Sequence, residues 1–236
     1  NYTDPLEVMD SLGADALRWY LVSAPVLRGL DLKLDEKAIA DVVRNVVLPF
    51  WNAYSFFCLY ANEDGADPVD LTTGRAAQGE LTLIDRYLLA KTHELVAGVT
   101  QRMDAYDLGG ACNRVFSFLD ALTNWYIRRS RERFWRSGLD ADKRAAYDTL
   151  YTVLVTLAKT LAPLLPFVAE EIYVGLTGEK SVHLADWPDA AALPADPDLV
   201  AEMDRVRDAA SAARTLRERE GARVRREVDC TRAEVE

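Results

Sequence analysis

The sequence predicts an all-α protein, built as an up-and-down helical bundle. Three observations carry this expectation. Apolar residues recur at i, i+3, i+4 and i+7 through most of the 236 residues. Helix-start and helix-stop chemistry (Asp-Pro pairs, Gly, Pro) falls between those runs. Strand-like alternation is confined to a weak pattern in the last 16 residues, GARVRREVDCTRAEVE.

Taken in order, Asp4-Pro5-Leu6-Glu7 supplies an N-cap, a proline at the first helical position and a reciprocal glutamate. That short helix stops at Gly13. A second begins near Ala14, carries Asp15, Arg18 and Trp19, and runs toward Pro25. Residues 26–34 read as extended chain or loop. Asp35 opens a long amphipathic helix with Ile39, Val42, Val43, Val46, Val47, Phe50 and Tyr54 on one face. Pro49 should kink it, because its ring and missing N–H disrupt the preceding turn. Residues 62–79, rich in Gly, Asp, Thr and Pro, read as a surface connection. A second long helix spans 82–106 with Ile84, Leu88, Leu95, Val99 and Met103 inward. A third spans 108–135, its first turn weakened by Gly109-Gly110. Residues 137–140 form a turn. A fourth long helix covers 142–161, with Leu150, Val153, Leu154 and Leu157 inward, and ends at Pro163 and Pro166. A short helix follows at 167–176. Residues 177–197 read as a linker. Asp196-Pro197 caps a last helix to about residue 220, with Leu199, Met203, Val206 and Leu216 as its stripe. The final residues read as a strand separated from its sheet.

The formal net charge of −10 argues against nonspecific coating of nucleic acid. It leaves room for a local basic patch, since screening limits surface charge to about 8–10 Å at physiological salt. Cys58, Cys112 and Cys230 are far apart and odd in number, which fits a reducing cytoplasm better than a disulfide framework. With two histidines and no CxxC pair, no metal site is expected. No apolar run reaches the roughly 20 residues a bilayer span needs, and no signal peptide is visible. The chain lacks an initiator Met and opens at Asn1, as a piece of a longer protein would.

Against this acidic background one segment stands apart: NWYIRRSRERFWR, residues 124–136, with Arg128, Arg129, Arg131, Arg133 and Arg136 against a single Glu132. On a 100° wheel Asn124, Arg128, Arg131 and Trp135 share one stripe, and Trp125, Arg129 and Arg136 lie beside it. Val115, Leu119, Leu122 and Tyr126 point the other way, toward a core. Guanidinium groups bind phosphate bidentately, amides read base edges, and aromatic rings stack on unpaired bases. The segment therefore points to RNA. The competing reading is a solvated helix whose arginines pair with the acidic surface.

The remaining candidates are weaker. Glu170 and Glu171 are adjacent on a helix and face different directions, so a solvated face outweighs acid–base chemistry. His183 is read as structural and His93 as exposed. Trp51 is read as core, and Asn52 as a hydrogen-bond node or an RNA contact. No phosphate loop, nucleophile elbow or HExxH motif is present, so no catalytic residue is expected.

NYTDPLEVMDSLGADALRWYL, LPFWNAYSFF, MDAYDL, LTNWYIRRSRERFW, LAPLLPFVAEEIY and SVHLADWP follow one another in an order that resembles the C-terminal region of class I aminoacyl-tRNA synthetases. LTNWYIRRSRERFW followed by SVHLADWP is most similar to the isoleucyl branch. GADALR and APLLPFVAEEIY also suit valyl and leucyl relatives. The resemblance implies a linking segment over residues 1–34 and an anticodon-binding bundle over 35–178. Residues 179–236 would be a linker, a helix and the start of a truncated C-terminal module. It implies tRNA(Ile) and the catalytic domain of the same parent chain as partners, with no membrane. ATP with Mg is implied for the parent and no cofactor for this fragment, which lacks the HIGH and KMSKS motifs. By motif, Asn124, Trp125, Arg128, Arg129, Arg131 and Arg133 are carried over to the anticodon stem-loop, with Trp135 and Asn52 beside them. GARVRREV departs from the KVRQPL-like pattern of the family. A helical protein-interaction bundle that binds no RNA is the rival from another class, and it would expect a large exposed apolar groove.

Overall fold

The structure, a computed structural model, describes residues 4–219 apart from Lys33. Its helices are α1 (Pro5–Leu12), α2 (Ala14–Ser23), α3 (Glu36–Val42), α4 (Leu48–Asp64) and α5 (Leu83–Asp104). They continue with α6 (Leu108–Asp120), α7 (Arg128–Trp135), α8 (Ala141–Leu161), α9 (Pro166–Thr177) and α10 (Pro197–Arg219). Among the described residues there is no strand, and the all-α expectation holds. One compact unit ends at Asp196 and a second begins at Pro197. The expected C-terminal strand lies outside the described residues.

Asp4 caps α1, its carboxylate accepting from the Leu6 N–H at 2.9 Å. Gly13, at φ 88°, makes the turn into α2 that a side chain would strain. α1, α2 and α3 close around Val8, Ala16, Leu17 and Ile39. The expected loop after α2 holds a 3₁₀ turn, Pro25–Arg28. Asp15 joins this small core to the bundle. Its carboxylate accepts from the N–H groups of Val168 at 2.8 Å and Phe167 at 3.3 Å. It thus caps α9, whose own N-cap residue, Leu165, has no side-chain acceptor. The GADALR and APLLPFVAEEIY stretches meet at this contact.

Two helices expected to be continuous are each interrupted by a π-helical segment. Val43–Val47 separates α3 from α4, and Ala121–Ile127 separates α6 from α7. The first sits immediately before Pro49. An extra residue there relieves the clash of the proline ring with the preceding turn, so the sequence-predicted kink takes the form of a π segment. One expectation is corrected here, because Trp51 follows an inward position by one residue and so faces about 100° away from it. Phe50 is fully buried, whereas Trp51, read as core, is 38% exposed and meets Tyr54 edge-on at 5.5 Å.

The main core joins Phe50, Phe57, Leu88, Val99, Val115, Leu122, Tyr147, Leu154 and Ile172 from α4, α5, α6, the second π segment, α8 and α9. Three buried polar groups tie loops to it. Asp148 of α8 accepts from the backbone N–H groups of Val69 at 2.8 Å and Gln78 at 2.7 Å, pinning the connection between α4 and α5. Thr152 accepts from Leu71 N–H at 2.9 Å. Lys143, 1% exposed, donates to the Arg136 carbonyl at 2.7 Å and pairs with Asp64. Gly79 has no room for a side chain, since a Cβ would fall 1.9 Å from the Ala141 carbonyl oxygen. Residues 179–196, expected as linker, form an ordered strap over α5. Val182 and Leu193 are buried, and Trp187 Nε1–H donates to Thr100 at 2.9 Å. His93, expected to be exposed, is half-buried because its Nδ1 bonds the Ala190 carbonyl at 2.7 Å. Exposed His183 lies 3.2 Å from the Pro166 carbonyl. Glu170 accepts from Ser181 and the Val182 N–H, which gives it a capping role.

Asp15→Ala removes the cap supplied across the fold. We expect it to lower urea stability by about 1–2 kcal/mol. Asp4→Ala, at an exposed helix end, should lower it by less. Equal effects in equilibrium unfolding contradict the tie between the N-terminal segment and the bundle.

Candidate nucleic-acid interface

The arginine-rich segment is positioned by what it packs against. Val115, Leu119, Leu122 and Tyr126 are all buried, as the wheel predicts. Beyond Tyr126 the π segment changes the register. Arg133 lies eighteen residues after Val115, five full turns at about 100° per residue, and an uninterrupted helix would aim it into the core. Phe134 holds that place instead, at 1% exposed, and Arg133 sits on the flank.

There it meets Asp85, whose side chain is fully buried. Asp85 Oδ1 accepts from Tyr126 O–H at 2.7 Å and Arg133 Nη1–H at 2.8 Å. Its Oδ2 accepts from Arg133 Nη2–H at 2.9 Å, and from the Thr82 N–H and hydroxyl at 2.9 and 2.6 Å. The Thr82 N–H contact is one half of the capping box of α5, whose other half is the Asp85 backbone N–H donating back to the Thr82 side chain. Arg133 also donates to Asp142 at the start of α8, through Nε–H to its carboxylate at 3.1 Å and through Nη2–H to its carbonyl at 2.9 Å. Burial, then the charge of Asp85, pushes the Tyr126 phenol well above its ordinary range. Burial opposes the charge on Arg133, but its bonds to Asp85 overcome this and hold the guanidinium protonated. Burial raises the Asp142 carboxyl, and the bonds and charge of Arg133, then of Arg136, outweigh it and hold the group below its ordinary 3.8.

Two residues carried over by motif therefore point inward. Arg133 is committed to Asp85 and Asp142. Trp125 is only 8% exposed, because the π segment turns it against the bundle. The outward set is Asn124, Arg128, Arg129, Arg131 and Trp135, the last 56% exposed. Arg129 lies over the Trp125 ring at 3.7 Å, which ties a surface cation to a buried aromatic ring. Arg131 lies 6.0 Å from the Trp135 ring centroid. Arg136 pairs with Asp140 and Asp142, so part of the rival solvated-pair reading applies to it.

The two asparagines singled out in the sequence come together. Asn52 of α4 and Asn124 of the second π segment line one open groove of about 380 Å³, with Arg44, Asn45, Phe116 and Thr123. Asn124 Nδ2–H donates to Asp120 at 2.7 Å, which leaves its carbonyl oxygen for other donors. Sequence reasoning missed Arg44, Asn45 and exposed Phe116. Arg44 and Asn45 precede Asn52 by eight and seven residues, close to two turns, which is the signal that could have found them. Among the described residues no group of three or more His, Cys, Asp or Glu side chains could hold a metal ion. No described helix is long and apolar enough to cross a membrane.

An all-helical bundle with an arginine–aromatic face beside an amide-lined groove has the chemistry of an RNA-binding module. Comparison with known proteins sharpens the class. Residues 85–231 match the family model described as the anticodon-binding domain of tRNA ligase, and the chain belongs to that family. Similar relatives include the isoleucine–tRNA ligases of Leifsonia xyli, 52% identical over 95% of this chain, and Mycobacterium tuberculosis, 49% identical over 95%. The chain spans about a fifth of the length of each of these relatives (20%). Among solved structures, methionyl-tRNA synthetase of Mycobacterium tuberculosis in complex with methionyl-adenylate matches with a TM-score of 0.53 at 23% identity, over 72% of this chain and 33% of that one. The LeuRS of Agrobacterium radiobacter K84, in a LeuRS–tRNA–LeuAMS ternary complex, matches with a TM-score of 0.52 at 17% identity, over 84% of this chain and 21% of that one. These two likenesses speak to the fold.

Because the Asp142 carboxyl is held below its ordinary value in the folded state, its contribution to stability is complete above pH 3.8 and is lost as pH falls through the folded value. The stability difference between wild type and Asp142→Asn should be constant from pH 7 to about 5 and shrink below pH 3.8. Urea unfolding as a function of pH checks this. A difference that grows on acidification contradicts the Arg133–Asp142 assignment.

Proposed function

We propose that this chain is the part of an isoleucine–tRNA ligase that grips and reads the anticodon stem-loop of tRNA(Ile), working in the cytoplasm. The observation that carries the reading is the outward face of Arg128, Arg129, Arg131 and Trp135 adjoining the groove of Asn52 and Asn124. Arginines along α7 neutralise stem phosphates and give an affinity that falls steeply with salt. Unpaired loop bases enter the groove, where the amides of Asn52 and Asn124 meet base edges. Trp135 offers a stacking surface for a base, worth about 1–3 kcal/mol. Trp125 and Arg133 support this face from within.

In the parent enzyme, isoleucine is activated with ATP and Mg and then esterified to tRNA. The chemistry belongs to the catalytic domain with its HIGH and KMSKS motifs, which this sequence does not contain. The role of this chain is positioning and selection. Residues 1–34 link the bundle to the catalytic side, and Asp15 transmits that link to α9.

The test is binding of this chain to isoleucine tRNA at fixed salt, beside the same transcript carrying a valine anticodon. We expect preference for the isoleucine anticodon. Arg128→Ala with Arg131→Ala should weaken binding and reduce the slope of log K against log salt by about 1.4–1.8, the loss of two phosphate contacts. Equal binding of both transcripts reduces the reading to a backbone grip. No binding by a folded chain overturns it.

A further inference from the structure

Arg133 is the one arginine of α7 that turns its guanidinium to a fully buried carboxylate, and α7 itself follows directly on a π-helical segment. We propose that the Arg133–Asp85 pair is a register lock: it holds the extra residue of Ala121–Ile127 in place and so selects which side chains of α7 face RNA. Arg133 is thereby a positioning residue that does not itself touch RNA. The RNA part of this inference rests on the function proposed above.

Without the extra residue, Arg133 falls in line with Val115 and enters an apolar core. With it, Arg133 swings by about 100° to the flank occupied by Asp85, and Phe134 enters the core line. The Phe134 ring then meets Phe56 and Tyr147 edge-on, each at 5.1 Å. Local chemistry opposes this register. The Nε1 of Trp125 and Oγ of Ser130 are buried and have no hydrogen-bond partner among the described residues. Buried polar groups are usually satisfied, so the segment is held by contacts beyond itself. Those contacts are Tyr126 and Arg133 on one Asp85 oxygen, and Phe134 in the core. The directions of Arg128, Arg129, Arg131 and Trp135 follow from that choice. π segments of this kind recur at functional sites, where one inserted residue re-aims a helix face.

The experiment uses the full chain. Asp85→Asn with Arg133→Met removes both charges and leaves no buried ion unpaired. Hydroxyl-radical footprinting reads the register through Phe134, protected in wild type, and Trp135, exposed in wild type. Binding to isoleucine tRNA is measured in parallel. We expect the double variant to keep its helix content, to raise Phe134 oxidation at least threefold, to lower that of Trp135, and to lose at least tenfold in affinity. A folded double variant with the wild-type footprint overturns the lock. If that variant fails to fold, Arg133→Lys decides: it keeps the charge and loses the fork, so Phe134 oxidation should still rise at least twofold, and an unchanged footprint overturns the proposal. If wild type does not bind tRNA, the RNA role fails, while the footprint still judges the lock.

Discussion

The fold depends on satisfying one buried carboxylate. Asp85 lies at the start of α5 with no exposed surface, and an ion so placed is strongly unfavourable unless every lone pair is met. Thr82 meets it from its own helix, Tyr126 from the second π segment and Arg133 from α7. Arg133 in turn holds Asp142 at the head of α8. Four elements, α5, the second π segment, α7 and α8, thus converge on one guanidinium–carboxylate pair. Removing one partner of such a pair typically destabilises by about 3–5 kcal/mol, because the other is left buried and unpaired. The geometry of the arginine face is inherited from this contact.

The same economy explains how an acidic chain presents a basic face. Several carboxylates that contribute to the charge of −10 act inside the fold. Asp15 caps α9, Asp148 holds the α4–α5 connection, and Asp64 pairs with buried Lys143 and accepts from Tyr147. Arg133 and Arg136 are likewise engaged with Asp85, Asp140 and Asp142. Arg128, Arg129 and Arg131 remain exposed on α7, where the only acidic residue is Glu132, and screening confines their charge to about a Debye length. Net charge describes the whole molecule, whereas an RNA backbone samples the nearest few ångströms.

Much of this was legible in the sequence. Apolar periodicity placed nearly every helix, since each buries one stripe, and Leu150, Val153, Leu154 and Leu157 are all fully buried as expected. The pairing of Asn52 with Asn124 in one groove gives a shared setting to residues chosen separately. The two π segments were not legible, because a 100° wheel assumes a constant turn. That assumption placed Trp125 beside the exposed stripe, and the added residue turns it inward. A trace was present in each case. Pro49 inside an apolar run requires relief, and a charged residue five turns from Val115 cannot stay in the core line. The strap over α5 was read as linker because its order comes from tertiary contacts of Val182, Trp187 and Leu193, which local composition does not encode.

In the function proposed here, the outward face of α7 and the adjoining groove form a single RNA surface. The most direct measurement is photo-crosslinking of this chain to isoleucine tRNA carrying a photoreactive base in the anticodon loop, with the attached peptides identified by mass spectrometry. Crosslinks are expected on both sides of the groove, in residues 44–52 and 116–135, and none on the strap of residues 179–196. Crosslinks confined to the strap or to α9, with α4 and α7 unlabelled, contradict the proposal.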